Sequence, residues 1–181
     1  DGKTWTNKTY TFTTEPAPGS TPPEISNIVL SISDPIDTQA NFGWENISCI
    51  VTDNIGVEKV YIIIKYPNGT TYNISMTKQS GTNLYYYKTS FSKHGNYSYF
   101  ISAKDINGNY NSSSTYKLSI PPNWDINEDG RCNILDQILI SSYYGTTDDP
   151  GWIKEDVDNN GQIQILDFIL VSNHYGEVWW V

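Results

Sequence analysis

Basic residues are scarce in this chain: 11 Lys+Arg stand against 20 Asp+Glu, for a formal net charge of −9 and a pI near 4.5. A nucleic-acid partner needs a basic face, so that class of function is excluded. No run approaches the ~18 apolar residues of a membrane span. The opening residues, DGKTWTNKTY, lack the apolar core of a signal peptide, so any export signal is expected to have been removed or to lie outside this sequence. The chain reads as a mature or excised piece. Histidine is limited to His94 and His174, with no HExxH context, no GxSxG and no glycine-rich phosphate loop, which argues against an enzyme. Both histidines read as solvated or packed structural residues. Two cysteines, Cys49 and Cys132, read as small buried hydrophobes rather than as a bridge between distant cores. What is present is a chain of 181 residues with 38% hydrophobic and 14% aromatic side chains, enough for a packed core.

Charge is distributed unevenly. Residues 1–120 hold nine acidic and nine basic side chains, whereas residues 121–181 hold eleven acidic against only Arg131 and Lys154, which accounts for the whole −9. Such a step marks a domain boundary. Residues 1–120 are rich in Thr, Ser, Tyr, Ile and Val in short alternating runs broken by PNG, NG and GN turns, the chemistry of β-sheet. Strands are predicted at 25–32, 47–51, 57–65, 70–77, 84–89, 97–103 and 114–120. Seven short strands predict a two-sheet sandwich. The period of two places Ile47, Cys49 and Val51 on one face and Tyr97, Tyr99 and Ile101 on another, the expected core.

The segments CIVTDNIGVEKVYIII (49–64) and GNYSYFISAKDINGN (95–109) resemble the immunoglobulin-like modules repeated in bacterial and archaeal surface proteins. The resemblance covers about residues 23–120 and implies a spacer or adhesion module without chemistry of its own. Asp53 and Asp105 each open an Asp-x-x-Gly turn, read as backbone structure rather than as a metal site. Six Asn-x-Ser/Thr sequons, at Asn7, Asn46, Asn68, Asn73, Asn96 and Asn111, are compatible with a glycosylated protein at an extracellular location or the cell surface.

The acidic third carries the strongest signal. DINEDGRCNILD (125–136) and DVDNNGQIQILD (156–167) superpose with a shift of 31 residues, and the likeness continues through Ile-Leu, Ser and a closing Tyr-Gly. This is an internal duplication. Each copy puts oxygen side chains at the first, third and fifth places of a twelve-residue loop, Gly at the sixth, a hydrophobe at the eighth and a carboxylate at the twelfth. Ca²⁺ is a hard ion that takes six to eight oxygens at about 2.3–2.6 Å, so alternate residues of a curled loop must point inward. Asp125, Asn127, Asp129 and Asp136 with the Arg131 carbonyl would hold one ion, and Asp156, Asp158, Asn160 and Asp167 with the Gln162 carbonyl a second. Without a cation the crowded carboxylates repel, by about 4 kcal/mol per close pair at an effective dielectric near 20.

A short helix is predicted after each loop. Leu135, Ile138 and Leu139, and in the second copy Leu166, Ile169 and Leu170, lie at i, i+3 and i+4, and these stripes are expected to pack on one another. Gly145 and Gly176 are expected to stop the helices. A duplicated calcium loop followed by one helix, with Asp in the twelfth place, resembles a type I dockerin over residues 123–177. The resemblance implies two structural Ca²⁺ ions and docking to a cohesin-like module, with two possible orientations. It places the recognition residues at Ile134, Leu135, Ser141 and Ser142 in one copy and Ile165, Leu166, Ser172 and Asn173 in the other. Apolar Ile-Leu pairs depart from the small polar pairs of cellulosomal dockerins and also read as core. They are similar to dockerin-like tails of archaeal surface proteins.

Both ends leave alternatives open. Trp124 before the first loop and Trp179–Trp180 at the end read either as a stacked clasp or as an exposed anchor. Residues 5–14 (WTNKTYTFTT) alternate like a strand ahead of a Pro-rich linker, and read either as the severed end of a preceding domain or as a strand donated to a sister copy, a head-to-tail contact that builds a filament. The fold expected is therefore two-domain, mainly β plus small α: residues 1–22 strand and linker, 23–120 an immunoglobulin-like β-sandwich, 121–181 a dockerin-like pair of calcium loop–helix motifs. The function expected is a non-enzymatic, calcium-binding module for protein–protein assembly. A self-assembling filament subunit and a carbohydrate-binding sandwich using Tyr85, Tyr86, Tyr87, Tyr97 and Tyr99 are the alternatives.

Overall fold

The computed structural model describes residues 19–32, 44–150 and 153–179. It is mostly β, with two small helices. In chain order the strands are β1 (Glu24–Ile32), β2 (Glu45–Thr52), β3 (Val57–Lys65), β4 (Thr71–Ser75), β5 (Thr77–Lys78), β6 (Leu84–Thr89), β7 (Gly95–Asp105), β8 (Tyr110–Ser112) and β9 (Tyr116–Ile120), followed by α1 (Ile134–Tyr143) and α2 (Ile165–Ser172). Two antiparallel sheets form, ordered β1-β2-β6-β5 and β4-β3-β7-β8, with β9 pairing the first half of β7.

Alternation decides the faces. Along β2 every second residue is buried, so Ile47, Cys49 and Val51 point inward as their spacing predicts. Tyr97, Tyr99 and Ile101 of β7 meet them from the other sheet, with Val60, Ile62 and Ile64 of β3, in one apolar cluster. Burial of these β-branched and aromatic side chains is the main stabilising term of the sandwich.

β1, β2 and β7 run one or two residues beyond the stretches expected, and two other stretches differ more. The run expected at 70–77 is broken at Met76, which is buried, so that β4 edges one sheet and β5 the other. The stretch expected to begin at 114 starts at Tyr116, and the short β8, absent from the sequence reading, pairs Ser102–Lys104 of β7. Asp53 and Asp105 serve as turn residues. Asp53 Oδ1 accepts from the Ile55 and Gly56 N–H groups at 2.8 and 2.9 Å. Fully buried Asp105 accepts from the Asn107 and Asn109 N–H groups and the Asn109 amide at 2.7–2.9 Å. The same two asparagine amides hold the Gly19 carbonyl, tying the start of the described chain to this turn.

A second apolar cluster sits in the acidic third, formed by Trp124, Ile126, Cys132, Ile140, Val157, Ile163 and Val171 with partly buried Leu139, Ile153, Phe168, Leu170 and Trp179. Its composition corrects the helix stripe. Leu135, Ile138, Leu166 and Ile169 are 44–51% exposed, and the inward positions are Leu139 with Ile140 and Leu170 with Val171. The i, i+3, i+4 spacing selected an apolar face correctly but the chain turns the adjacent face to the core. Gly145 lies just past the cap of α1 with φ 84°, whereas α2 ends at Ser172, four residues before Gly176, which leaves His174 in the turn beyond the helix and not on it.

Both cysteines are free, with Cys49 in the sandwich cluster and Cys132 in the second. Burial pushes the Cys49 thiol up to about 11. A thiol raised that far stays protonated at pH 8. Native protein is therefore expected to leave a disulfide dye unreacted at pH 8 and to release two thiols only after denaturant is added. Substitution Ile62→Ala, at a fully buried position, is expected to cost about 2–5 kcal/mol in chemical denaturation.

Candidate metal centre

Each loop folds around its own carboxylates. In the first, Asp125 Oδ1 accepts the Asp129 N–H at 3.1 Å and Oδ2 the Gly130 N–H at 2.9 Å and the Trp179 indole N–H. In the second, Asp156 Oδ1 accepts the Asn160 N–H at 3.1 Å and Oδ2 the Gly161 N–H at 2.7 Å. The third- and fifth-place oxygens repeat the same pattern, Asn127 to Asp129 N–H, Asp129 to Arg131 N–H, Asp158 to Asn160 N–H and Asn160 to Gln162 N–H. These turns require a left-handed residue twice. Glu128 and Asn159 stand at φ 58° and 56°, Gly130 and Gly161 at 86° and 85°. At Gly161 an added Cβ would come 2.8 Å from the Asp148 carbonyl, so glycine is required there for space as well as for backbone angle.

The twelfth-place carboxylates have two roles. Asp136 Oδ1 accepts the Ile126 N–H at 2.9 Å and the Asn127 N–H at 3.2 Å, reaching across the loop, while its Oδ2 accepts the Asn133 N–H at 2.8 Å. Asp167 does the same toward the Asp158 and Gln164 N–H groups. Both are the third residue of a capping box that starts its helix. The N-cap spacing Asn133-x-x-Asp136 carries that signal in the sequence, although the calcium pattern draws attention first.

The two halves are interlocked by backbone. The segment after α1 runs along the second loop: the Gly145 N–H bonds to the Ile163 carbonyl, the Ile163 N–H to that of Thr146 and the Asp148 N–H to that of Gly161 at 2.8–3.1 Å. After α2 the chain returns to the first loop, with the Gly176 N–H to Cys132, the Cys132 N–H to Glu177 and the Trp179 N–H to Gly130 at 2.8–3.2 Å.

Four of these carboxylates, on Asp125, Asp136, Asp156 and Asp167, are 0–1% exposed. Their hydrogen-bond donors named above are N–H groups, and the Lys154–Glu128 pair at 2.6 Å and the His174–Glu177 pair at 3.1 Å involve none of the four. Burial pushes the Asp125 carboxyl above its ordinary range, against hydrogen bonds from Trp179 and Gly130 that favour the charge. Burial likewise raises Asp156, opposed by Gly161 and Asn160. In the second loop Asp156, Asp158 and Asp167 bring their oxygens within 4.8 Å of one another, the one such group of three among the described residues. Buried, converging, unneutralised carboxylate oxygens are the donor set of a hard divalent cation. In the first loop Asp129 instead turns Oδ2 to the amides of Asn127 and Asn133 at 3.0 and 3.2 Å.

The positions inferred as a recognition surface lie on the outside. Ile134, Leu135, Ser141 and Ser142 on α1, and Ile165, Leu166 and Asn173 at α2, are exposed, with Ser172 half-buried. The aromatic clasp differs from the expected stacking of tryptophans. Trp124 stacks on His174 with centroids 5.3 Å apart, and His94 stands edge-on to Trp124 and Trp179 at 6.4 and 6.3 Å. Nothing in the sequence singles out His94 for this position, thirty residues upstream. Trp180, the proposed donor strand 5–14 and the sequon at Asn7 lie outside the described residues. Of the remaining sequons, Asn68, Asn73, Asn96 and Asn111 are exposed and Asn46 is half-buried.

No protein-family model matches the chain, and no curated protein matches it. Among solved structures it is similar to a carbohydrate-binding module of family 56 described as a β-1,3-glucan binding domain, with 15% identity over 51% of this chain and 99% of that one at a TM-score of 0.33. It is also similar to a PKD domain of an M14-like peptidase from a Thermoplasmatales archaeon, with 18% identity over 53% and 98% at 0.34. A cell-surface-expressed chitinase of Paenibacillus aligns with 88% of this chain at 10% identity and a TM-score of 0.41, and the chain spans 15% of its length.

Asp167→Ala is expected to lose the capping box as well as a loop oxygen. In EGTA it should lower the melting midpoint of the helix signal in circular dichroism by an amount equivalent to about 1 kcal/mol, the cost of a lost cap.

Proposed function

We propose that residues 121–181 form a dockerin-like unit in which two calcium ions hold a docking face, carried by the immunoglobulin-like sandwich of residues 23–120 as a spacer on an extracellular or cell-surface protein, with no catalytic role. The observation that carries this reading is the pairing of two features in each repeat: a buried, unneutralised carboxylate set in the loop, and an uncovered Ile-Leu-x-x-Ile stripe on the helix that follows. Ca²⁺ would be held by Asp125, Asn127, Asp129, Asp136 and the Arg131 carbonyl, and by Asp156, Asp158, Asn160, Asp167 and the Gln162 carbonyl. Its role is structural, supplying the positive charge that the loops lack.

Ile134, Leu135 and Ile138 on one helix and Ile165, Leu166 and Ile169 on the other present equivalent apolar surfaces flanked by hydroxyl and amide side chains, without a charged residue in either stripe. An exposed apolar stripe of this kind normally covers a partner. The occupant proposed is a folded, cohesin-like module offering an uncharged apolar sheet face. Because the stripes repeat, either helix would serve as the main contact.

Carbohydrate binding by the sandwich is retained as a second reading. The supporting observation is an open cleft of about 420 Å³ lined by Lys65, Tyr66, Asn96, Lys117 and Ser119 among others. Tyr85, Tyr97 and Tyr99 are buried in the core, so their rings are not the platform such a site would use.

Calcium titration tests the main reading. The melting midpoint should rise with Ca²⁺, by an amount equivalent to about 2.7 kcal/mol at 100 times the dissociation constant, and Asp125→Ala combined with Asp156→Ala should abolish the response. With a cohesin-like partner in hand, Ile134→Asp or Ile165→Asp alone should leave binding measurable and the pair together should remove it, at an unchanged melting midpoint. A glycan array returning binders with calcium absent would favour the second reading.

A further inference from the structure

The two loops are near-copies, yet their surroundings differ. At the position 31 residues before Trp179 the first repeat has Asp148, which makes the equivalent backbone bond to the second loop but is exposed and has no indole to offer Asp156. Trp179 instead donates its indole N–H to Asp125, the first-place carboxylate of the first loop. Trp124 precedes that carboxylate in sequence and is 8% exposed. His94, an exposed residue of the turn joining β6 to β7 of the sandwich, stands edge-on to both indoles with centroids 6.4 and 6.3 Å away. The stretch linking β9 to the loop is Pro121-Pro122-Asn123, with both prolines buried and the Asp125 N–H bonded to the Pro122 carbonyl at 3.1 Å. The first loop is thus tied to the sandwich by the chain itself and by ring contact with His94, while Val157 and Asp158 of the second loop line a cleft together with His94, Asn123 and His174.

Resting on the calcium reading above, we infer that the first loop is a calcium-dependent joint: an ion there fixes Asp125, Asp125 fixes Trp179, and Trp179 with Trp124 grips His94, locking the sandwich in one direction relative to the docking helices. Trp179 is a positioning residue toward the ion, acting through Asp125 Oδ2, which it shares with the Gly130 N–H. Removal of the ion leaves the loop's carboxylates unneutralised, which loosens the 176–179 segment bonded to the loop and frees the grip on His94. The second loop stabilises the helical pair without setting the direction of the sandwich.

The test uses the full chain with three readouts: calcorimetric calcium binding to each loop, thermal melting, and nitrogen-15 relaxation giving separate rotational correlation times for residues 23–120 and 121–179. Wild type in calcium should tumble as one body, and in EGTA the two correlation times should separate. Trp179→Phe keeps the ring and removes the N–H, so the first site should weaken about tenfold, as for loss of a hydrogen bond to a charged acceptor. His94→Ala should leave both affinities unchanged while separating the correlation times in calcium. One-body tumbling of wild type in EGTA, or of His94→Ala in calcium, overturns the joint while leaving the calcium reading intact. Absence of calcium binding by wild type overturns the reading of the loops and the joint with it.

Discussion

Four carboxylates sealed from water set the terms for the acidic third of this molecule. Each ion buried without a countercharge costs several kcal/mol, and among the described residues the apolar cluster beneath them has seven buried side chains. Backbone N–H groups partly offset the cost by converging on each carboxylate. They curl the loop tightly, which is the reason for left-handed residues at its fourth and sixth places. Everything downstream, including where each helix starts, follows from the same oxygens, because Asp136 and Asp167 close the loop with one oxygen and cap the helix with the other.

The sandwich obeys a different constraint. Its charge is balanced, its fully buried Asp105 is satisfied within its own turn, and its stability comes from alternation across two sheets. Among the described residues the ring contacts between the two parts run from His94 of the sandwich to Trp124 and Trp179, and none of the ion pairs crosses between them. Ring contacts at 6.3 and 6.4 Å give orientation at little electrostatic cost next to a strongly acidic neighbour.

Much of this was legible in the sequence. The period of two named the inward residues of β2 and β7, and the 31-residue repeat located both loops and both helices. The helix faces were not legible. Spacing at i, i+3 and i+4 marks a stripe, and in helices of ten and eight residues that carry Ile or Leu on two adjacent faces, the stripe facing the core is chosen by how the two loops pair. The break at Met76 was hidden for a related reason, since a residue passing between sheets keeps the hydrophobic character of both neighbours. His94 had no local signal, because its role depends on which turn of the sandwich faces the first loop.

The exchange of backbone between repeats has an evolutionary reading. Each loop is completed by the segment that follows the other repeat's helix, so a lone repeat would lack half of its own pairing, whereas two separate copies would complete each other in the same way. The acidic third has the layout of a homodimer whose protomers have been fused into one chain. Two halves in one chain need not be identical, and here they differ: Trp179 stands where the other half has Asp148, an asymmetry closed to a dimer of identical protomers.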